Sequence, residues 1–361
     1  MRIVFLIVIL LHAVIHFFGF FKSFGIYDFK ELTMPVSRPL GIVWLLAGVS
    51  FIVVGILYLL NLNYWMFFTF LTVIISQVLI IIFWKDAKFG TIANVIILVV
   101  AFVAFSSWKF ESGFRKDVAE GIKRTALIDE QLLTASDIQH LPVPVQNYLK
   151  YAGVLNKPKV KNFRVKFEAE MRGRDQDWFP LTAEQYNFYN SYERLFFMKA
   201  KVRGLPVQGY HLYKDGMSSM NVKLFSLFPV VKVSGPEMFK AETVTVFNDM
   251  CFLAPATLID PDIKWEEIDD RTVNATFTNK AVSISATLYF NDEGQLVNFV
   301  SDDRYDVNEM KQYRFSTPLK EYQEINGYRL ASYGEAIWHY PEGEFVYGKY
   351  TLKEIEYNIL D

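Results

Sequence analysis

The sequence has few of the residues that staple or activate a protein. A single cysteine, Cys251, excludes an intrachain disulfide and any cysteine-rich metal site. No G-x-S-x-G, H-E-x-x-H, P-loop or paired C-x-x-C pattern occurs, so the common signatures of hydrolases, zinc enzymes and nucleotide binders are missing. Neither sign of charge dominates: 37 basic residues stand against 39 acidic ones, a formal net charge of -2. Without a basic excess there is little to displace the counterions of a nucleic acid, and no nucleic-acid partner is expected.

Long apolar runs are present, and all of them fall in the first third of the chain. Residues 3–21, 39–60, 64–84 and 91–108 are each close to the ~20 apolar residues that a helix needs to cross ~30 Å of hydrocarbon. Arg2 and the apolar stretch behind it resemble the start of a signal peptide. No small-residue cleavage site follows, however, and three more runs arrive after short loops, so the first run is read as a retained helix. Four crossings place both ends of the anchor on one side. Lys22, Lys30, Arg38, Lys85 and Lys88 lie in the loops after runs one and three, whereas the opposite side has Arg2, nothing in 61–63, and then Lys109, Arg115, Lys116, Lys123 and Arg124. Short loops weigh most in the positive-inside bias, which predicts a multi-pass cell-membrane protein with its soluble part outside the cytoplasm.

Polar residues inside a bilayer are costly and therefore informative. His12 and His16 are spaced i and i+4, which puts both rings on one helix face. Such a pair can ligate a metal or haem iron, or relay protons; the plainer reading is hydrogen bonding to neighbouring helices, with Ser76, Gln77 and Asn94 as partners. A haem would ask for a second ligand helix, and the other three runs contain no histidine. No resident metal or cofactor is expected.

After Phe110 the chain turns polar, with apolar residues Val118, Ile122, Leu127, Leu132 and Leu133 spaced for one helix stripe. From Lys159 the period changes to two. Phe163, Val165, Phe167 and Ala169 alternate with Arg164, Lys166, Glu168 and Glu170, the pattern of an antiparallel strand with one wet face. Similar runs recur to residue 357, separated by turn sequences such as Asn326-Gly327 and interrupted by a helical insertion at about 236–258, which is expected to lie across the sheet. The expected organisation is thus a four-helix transmembrane domain at 1–110, an amphipathic helical connector at 111–158, and a mainly antiparallel β domain at 159–361.

The stretches Ala286–Val297, Ser301–Tyr305, Tyr322–Leu330, Glu335–Trp338 and Glu354–Asn358 resemble the last hairpins of LolA/LolB-like lipoprotein-carrier folds. As a whole the chain is similar to an uncharacterised bacterial family that joins four membrane helices to such a domain, through Leu141–Val145, Gln176–Trp178, Pro206–Tyr210, Phe247–Cys251 and Ala254–Asp260. Gly19, Lys22 and Gly25 give the anchor a faint DoxX-type look. The carrier resemblance implies a half-barrel with an apolar concavity, lidded by helices, that can hold an acyl chain. Trp178, Phe225, Phe228, Met238, Phe252 and Trp338 are the ligand-binding candidates it suggests, although burying any one of them in an ordinary core needs no ligand.

Polar clusters offer a different class of function. Glu242, Asn248 and Asp249 sit on the helical insertion, and Asp302, Asp303 and Arg304 adjoin in sequence. A hydrolase needs a nucleophile and a base within hydrogen-bond reach, and no such pair is identifiable, so structural salt bridges with Arg304 as a partner are the preferred reading. The expected function is capture of a lipid or other apolar small molecule beside the bilayer rather than catalysis. A redox or proton-handling role for His12 and His16, or a non-catalytic membrane scaffold, are the alternatives. Membrane lipid is the expected partner; the sequence names no protein partner.

Overall fold

The computed structural model describes residues 2–360. The chain divides into two units, Met1–Phe110 and Glu111–Asp361. The first is built from α1 (Arg2–Ser23), α2 (Arg38–Leu59), α3 (Trp65–Ile82), a single turn α4 (Trp84–Ala87), and the first half of α5 (Gly90–Ala126). Four of these, α1, α2, α3 and α5, are long and apolar enough to cross a membrane. Their packing is inside-out relative to a water-soluble bundle: Ile3, Leu11, Ile74 and Ile92 point outward, while His12, His16, Ser76 and Asn94 are buried. That distribution is stable only where the surroundings are themselves apolar.

Helix α5 does not stop where its apolar run ends. It continues unbroken through Glu111 to Ala126, 37 residues in all, about 55 Å at 1.5 Å per residue. In the second unit it is followed by α6 (Val143–Ala152) and then by β1 (Asn162–Met171), β2 (Phe179–Phe188), β3 (Glu193–Val202), β4 (Leu205–Lys214), β5 (Met217–Leu224) and β6 (Phe228–Ser234). Helix α7 (Pro236–Phe252) and a 3-10 turn at Pro255–Ile259 interrupt the strands. The series resumes with β7 (Ile263–Asp269), β8 (Thr272–Asn279), β9 (Val282–Phe290), β10 (Leu296–Ser301), β11 (Tyr305–Asp306), β12 (Lys311–Gln312), β13 (Arg314–Ile325), β14 (Tyr328–Tyr340) and β15 (Gly343–Tyr357).

Thirteen of the strands form one antiparallel sheet, ordered β6-β5-β4-β3-β2-β1-β15-β14-β13-β10-β9-β8-β7. Two meanders are zipped together at its middle, where the first and last strands pair from Phe163 opposite Tyr357 to Met171 opposite Gly348. The sheet is not closed: β6 and β7 are its edges, and α7 is the segment of chain that joins them. Because α7 packs against β5 and β6 near one edge and against β9 and β10 toward the other, the sheet wraps around it. Val244, Val246, Phe247, Met250 and Cys251 of α7 are fully buried in the resulting core.

One wet face was the expectation for these strands, and β8 keeps it, with regular alternation of buried and half-buried residues. The end of β2 and the start of β3 do not: both are continuously buried over Tyr186–Phe188 and Glu193–Met198. The second face is covered there by the Glu111–Ala126 part of α5. Phe114 stacks on Phe197 at 5.2 Å, and Arg115 reaches Glu184 at 2.6 Å, Glu111 reaches Lys199 at 2.6 Å and Glu120 reaches Lys214 at 2.8 Å. Of the stripe read from the sequence, Val118 and Ile122 are buried where this helix lies on the outer surface of the sheet; Leu127, Leu132 and Leu133 fall beyond its end at Ala126, the first two exposed and Leu133 buried in the main core, so the single helical stripe is corrected to a shorter one.

Candidate functional site

In the anchor unit, four of the five polar residues singled out by sequence, His12, Ser76, Gln77 and Asn94, fall into one network. His12 Nε2 lies 2.9 Å from Asn94 Oδ1 and 3.3 Å from Ser76 Oγ. Asn94 Nδ2 in turn donates to Gln77 Oε1 at 3.0 Å, and Gln77 Nε2 donates to Thr91 Oγ1 at 3.1 Å. His16 is held differently, with Nδ1 against the His12 carbonyl oxygen at 2.8 Å. The pair is therefore not a free chelate: one ring nitrogen of each histidine is already committed.

In the β domain, α7 brings Glu242 and Asp249 to one cation that the sequence did not reveal. Arg194, at the start of β3, donates from Nη1 to Glu242 at 3.0 Å and from Nε to Asp249 at 2.8 Å. Gln185 and Asn187 of β2 add donors to the same Asp249 oxygen at 2.8 and 3.2 Å, and His211 Nδ1 lies 3.6 Å from the other oxygen of Glu242. Burial alone pushes Glu242 up, but the charges of Arg194 and His211 outweigh it and hold the carboxyl at about 2. Burial raises Asp249 from its ordinary value, against the opposing charge of Arg194. Two carboxylates share one guanidinium here, and the geometry is that of a structural clamp between α7 and the sheet. Asn248 completes it by donating to Thr317 at 2.8 Å.

The three neighbours Asp302, Asp303 and Arg304 do not pair with one another, which corrects the sequence reading of Arg304 as partner to the two carboxylates. Asp302 takes Arg314 in a two-point contact at 2.9 and 3.2 Å. Asp303 bridges Lys240 of α7 at 2.8 Å and the Ser285 backbone N–H at 2.7 Å. Arg304 lies in the irregular link between β10 and β11, which bends at Asp302, and its side chain lies over a bed of aromatic rings. Its guanidinium lies 4.0 Å over Phe315, 5.0 Å over Trp338 and 5.9 Å over Tyr347.

The bed is a product of register. Phe315 of β13 is directly opposite Trp338 of β14, with ring centroids 5.4 Å apart. Strand β15 carries a bulge between the Val346 and Gly348 pairings, and the extra residue is Tyr347. A bulge re-aims the side chain it carries; here the Tyr347 ring stacks at 6.1 Å from Trp338, and its hydroxyl accepts from Arg304 Nη1 at 2.8 Å. Tyr313, Tyr340, Phe345 and Tyr350 pack around this cluster, all of them half-buried. Arg304 Nε is buried and has no hydrogen-bond partner among the described residues.

Of the six ligand-binding candidates, Trp338 alone belongs to this cluster. Met238 is buried on α7, and Phe252 packs against the main core. Trp178 is half-buried beneath Arg172 at 4.6 Å and Lys349 at 4.5 Å. Phe225 is half-buried in the turn after β5, and Phe228 is 61 % exposed on the edge strand β6. The outer face of the sheet holds a separate trough of about 700 Å³, lined among others by Pro180, Thr182, Lys199, Lys201, Tyr333 and Lys349. Its lining mixes exposed and half-buried polar residues of β1, β2, β3, β14 and β15 with the buried Ala169, Leu181, Ala200 and Val207.

Residues 131–350 match the model of a family of unknown function, DUF6544. The chain belongs to this family. The DUF6544 match takes in Arg194, Glu242, Asp249, Arg304 and Trp338, and it begins after the four apolar helices. No curated protein matches the chain. Among solved structures it is similar to a LolA superfamily protein from Nitrosomonas europaea, at 13 % identity and a TM-score of 0.37 over 60 % of this chain and 94 % of that one. It is also similar to a beta-barrel-like protein of domain of unknown function DUF1849 from Brucella abortus, at 8 % identity and a TM-score of 0.17 over 55 % of this chain and 98 % of that one.

Proposed function

We propose that the protein is a membrane-anchored binding protein whose β domain captures an amphiphile with an acidic headgroup, a lipid or a similar apolar molecule, at Arg304 and the rings beneath it. The carrying observation is that Arg304 lies on Phe315, Trp338 and Tyr347 with its Nε buried and unpartnered. Its sequence neighbours Asp302 and Asp303 are taken by Arg314 and Lys240, so they do not neutralise it. A guanidinium presents donors in a fork that matches carboxylate and phosphate oxygens, and the adjoining half-buried aromatics offer an apolar bed for a chain. The open, wrapped sheet is read here as a half-barrel with its mouth at this end. The lysines of the short anchor loops support a β domain on the side away from the cytoplasm. The DoxX-like look of the anchor adds no residue to this site.

The test is photo-crosslinking of the full-length protein in lipid nanodiscs, using phosphatidic acid with a photoreactive acyl chain and the matching neutral diacylglycerol. Adducts of the acidic probe are expected on peptides containing Trp338 or Tyr347, several-fold above those of the neutral probe. Arg304→Ala is expected to abolish that preference without changing the circular dichroism spectrum. Equal labelling by the two probes, or labelling indifferent to Arg304→Ala, would sink the reading.

A further inference from the structure

His16 and Trp44 face one another inside the anchor unit, with ring centroids 5.3 Å apart. Both residues are at least nine-tenths buried, and each carries one polar atom, His16 Nε2 and Trp44 Nε1, that has no hydrogen-bond partner among the described residues. The two atoms have complementary roles. A carbonyl oxygen can only accept, so the contact of His16 Nδ1 with the His12 carbonyl places the proton on Nδ1 and leaves Nε2 of the neutral ring as a bare acceptor. The indole N–H can only donate.

A hydroxyl oxygen is the simplest group that satisfies both, accepting from the indole while donating to the imidazole. We propose that His16 and Trp44 form a site for one hydroxyl group, carried by a water molecule. The surroundings support a site with a defined shape. Phe51, fully buried, stands 5.4 Å from the His16 ring. Gly19, one turn along α1 from His16, has no side chain where a Cβ would meet the Trp44 ring at 2.3 Å, so the indole can lie flat against α1. His12 is not part of the site, because its Nε2 is engaged by Asn94 and Ser76. Unsatisfied polar groups at membrane depth are costly enough that a protein retains them chiefly where they meet a partner or serve a function.

The experiment is solid-state nitrogen-15 spectroscopy of histidine-labelled full-length protein in nanodiscs, with the His12 ring as an internal control for the fold. The His16 Nε2 signal is expected at the position of a hydrogen-bonded acceptor, and it should move toward that of a bare ring nitrogen in Trp44→Phe while His12 stays in place. An isotope shift on transfer to deuterium oxide, without additive, assigns the hydroxyl to water. A bare-nitrogen signal in the unmodified protein overturns the proposal whatever the variant does. So does a hydrogen-bonded signal that survives Trp44→Phe unchanged.

Discussion

Arg194 Nη1 lies 3.0 Å from Glu242 Oε2, and both side chains are less than a tenth exposed. The pair ties the start of β3 to α7, the helix that joins the two edges of the sheet. Removing one member of such a buried pair leaves the other charge without compensation, at a typical cost of ~3–5 kcal/mol. Glu242→Gln is therefore expected to lower the unfolding midpoint sharply, and the loss should depend on pH with a definite sign. A carboxyl held at about 2 in the fold, against an ordinary 4.5, contributes stability that is full above 4.5 and fades as pH falls toward 2. Thermal unfolding of the two full-length proteins in detergent, followed by circular dichroism between pH 7 and pH 3, measures the gap. A gap that stays constant over that range would show that the ionised Glu242 is not what holds the helix.

Gly121 faces Phe188 where α5 crosses the sheet. A Cβ at this position would sit 2.4 Å from the Phe188 ring, and Phe188 is fully buried with no room to swing aside. In an exposed helix interior, replacing glycine by alanine gains about 0.5–1 kcal/mol. Here the sign should reverse, with Gly121→Ala losing ~1–3 kcal/mol through overpacking and Phe188→Leu in the same chain restoring part of it. Urea midpoints of the single and double variants decide the matter; an alanine variant as stable as the parent would mean that the helix is not seated this closely.

These contacts mark where sequence reasoning reached its limit. The alternation from Phe163 to Ala169 and the helical insertion after Pro236 were legible because each is a local period. Arg194 was not. It stands in Glu193-Arg194-Leu195-Phe196-Phe197, where α5 covers one face and α7 the other, so burial on both sides erases the alternation that would have shown which way the arginine points. The Arg304 site was hidden for a related reason: its rings come from β13, β14 and β15, and Tyr347 joins them through a bulge, which shifts register without a sequence signature of its own. In the anchor, the i and i+4 spacing of His12 and His16 was visible at once. That the two rings differ was not: His12 Nε2 is engaged by Ser76 and Asn94, contributed by two other helices, whereas His16 is held only by the His12 carbonyl.

The single cysteine offers a direct reading of how firmly the β domain is closed. Cys251 lies on α7 with no exposed surface, and burial raises its thiol well above the ordinary value. Alkylation requires an accessible thiolate, so in the folded protein reaction with iodoacetamide must wait for the helix to leave the sheet. Its rate should follow the population of that opened state when opening and reclosing are fast relative to alkylation. Each 1.4 kcal/mol lost from the closed state then speeds labelling about tenfold, and Glu242→Gln, which loosens the same helix, should label at least ~100-fold faster than the parent at neutral pH. Phe228→Asp, at an exposed edge position, should label at the parental rate, since surface changes of this kind stay within about 0.5 kcal/mol. Labelling time courses on the three full-length proteins separate two possibilities. Fast alkylation of the parent would mean that α7 opens readily and that the core behind it is accessible to small molecules. Slow alkylation accelerated by Glu242→Gln alone would mean that the Arg194 clamp keeps α7 shut, so that an amphiphile meets the domain at the Arg304 rings and not beneath the helix.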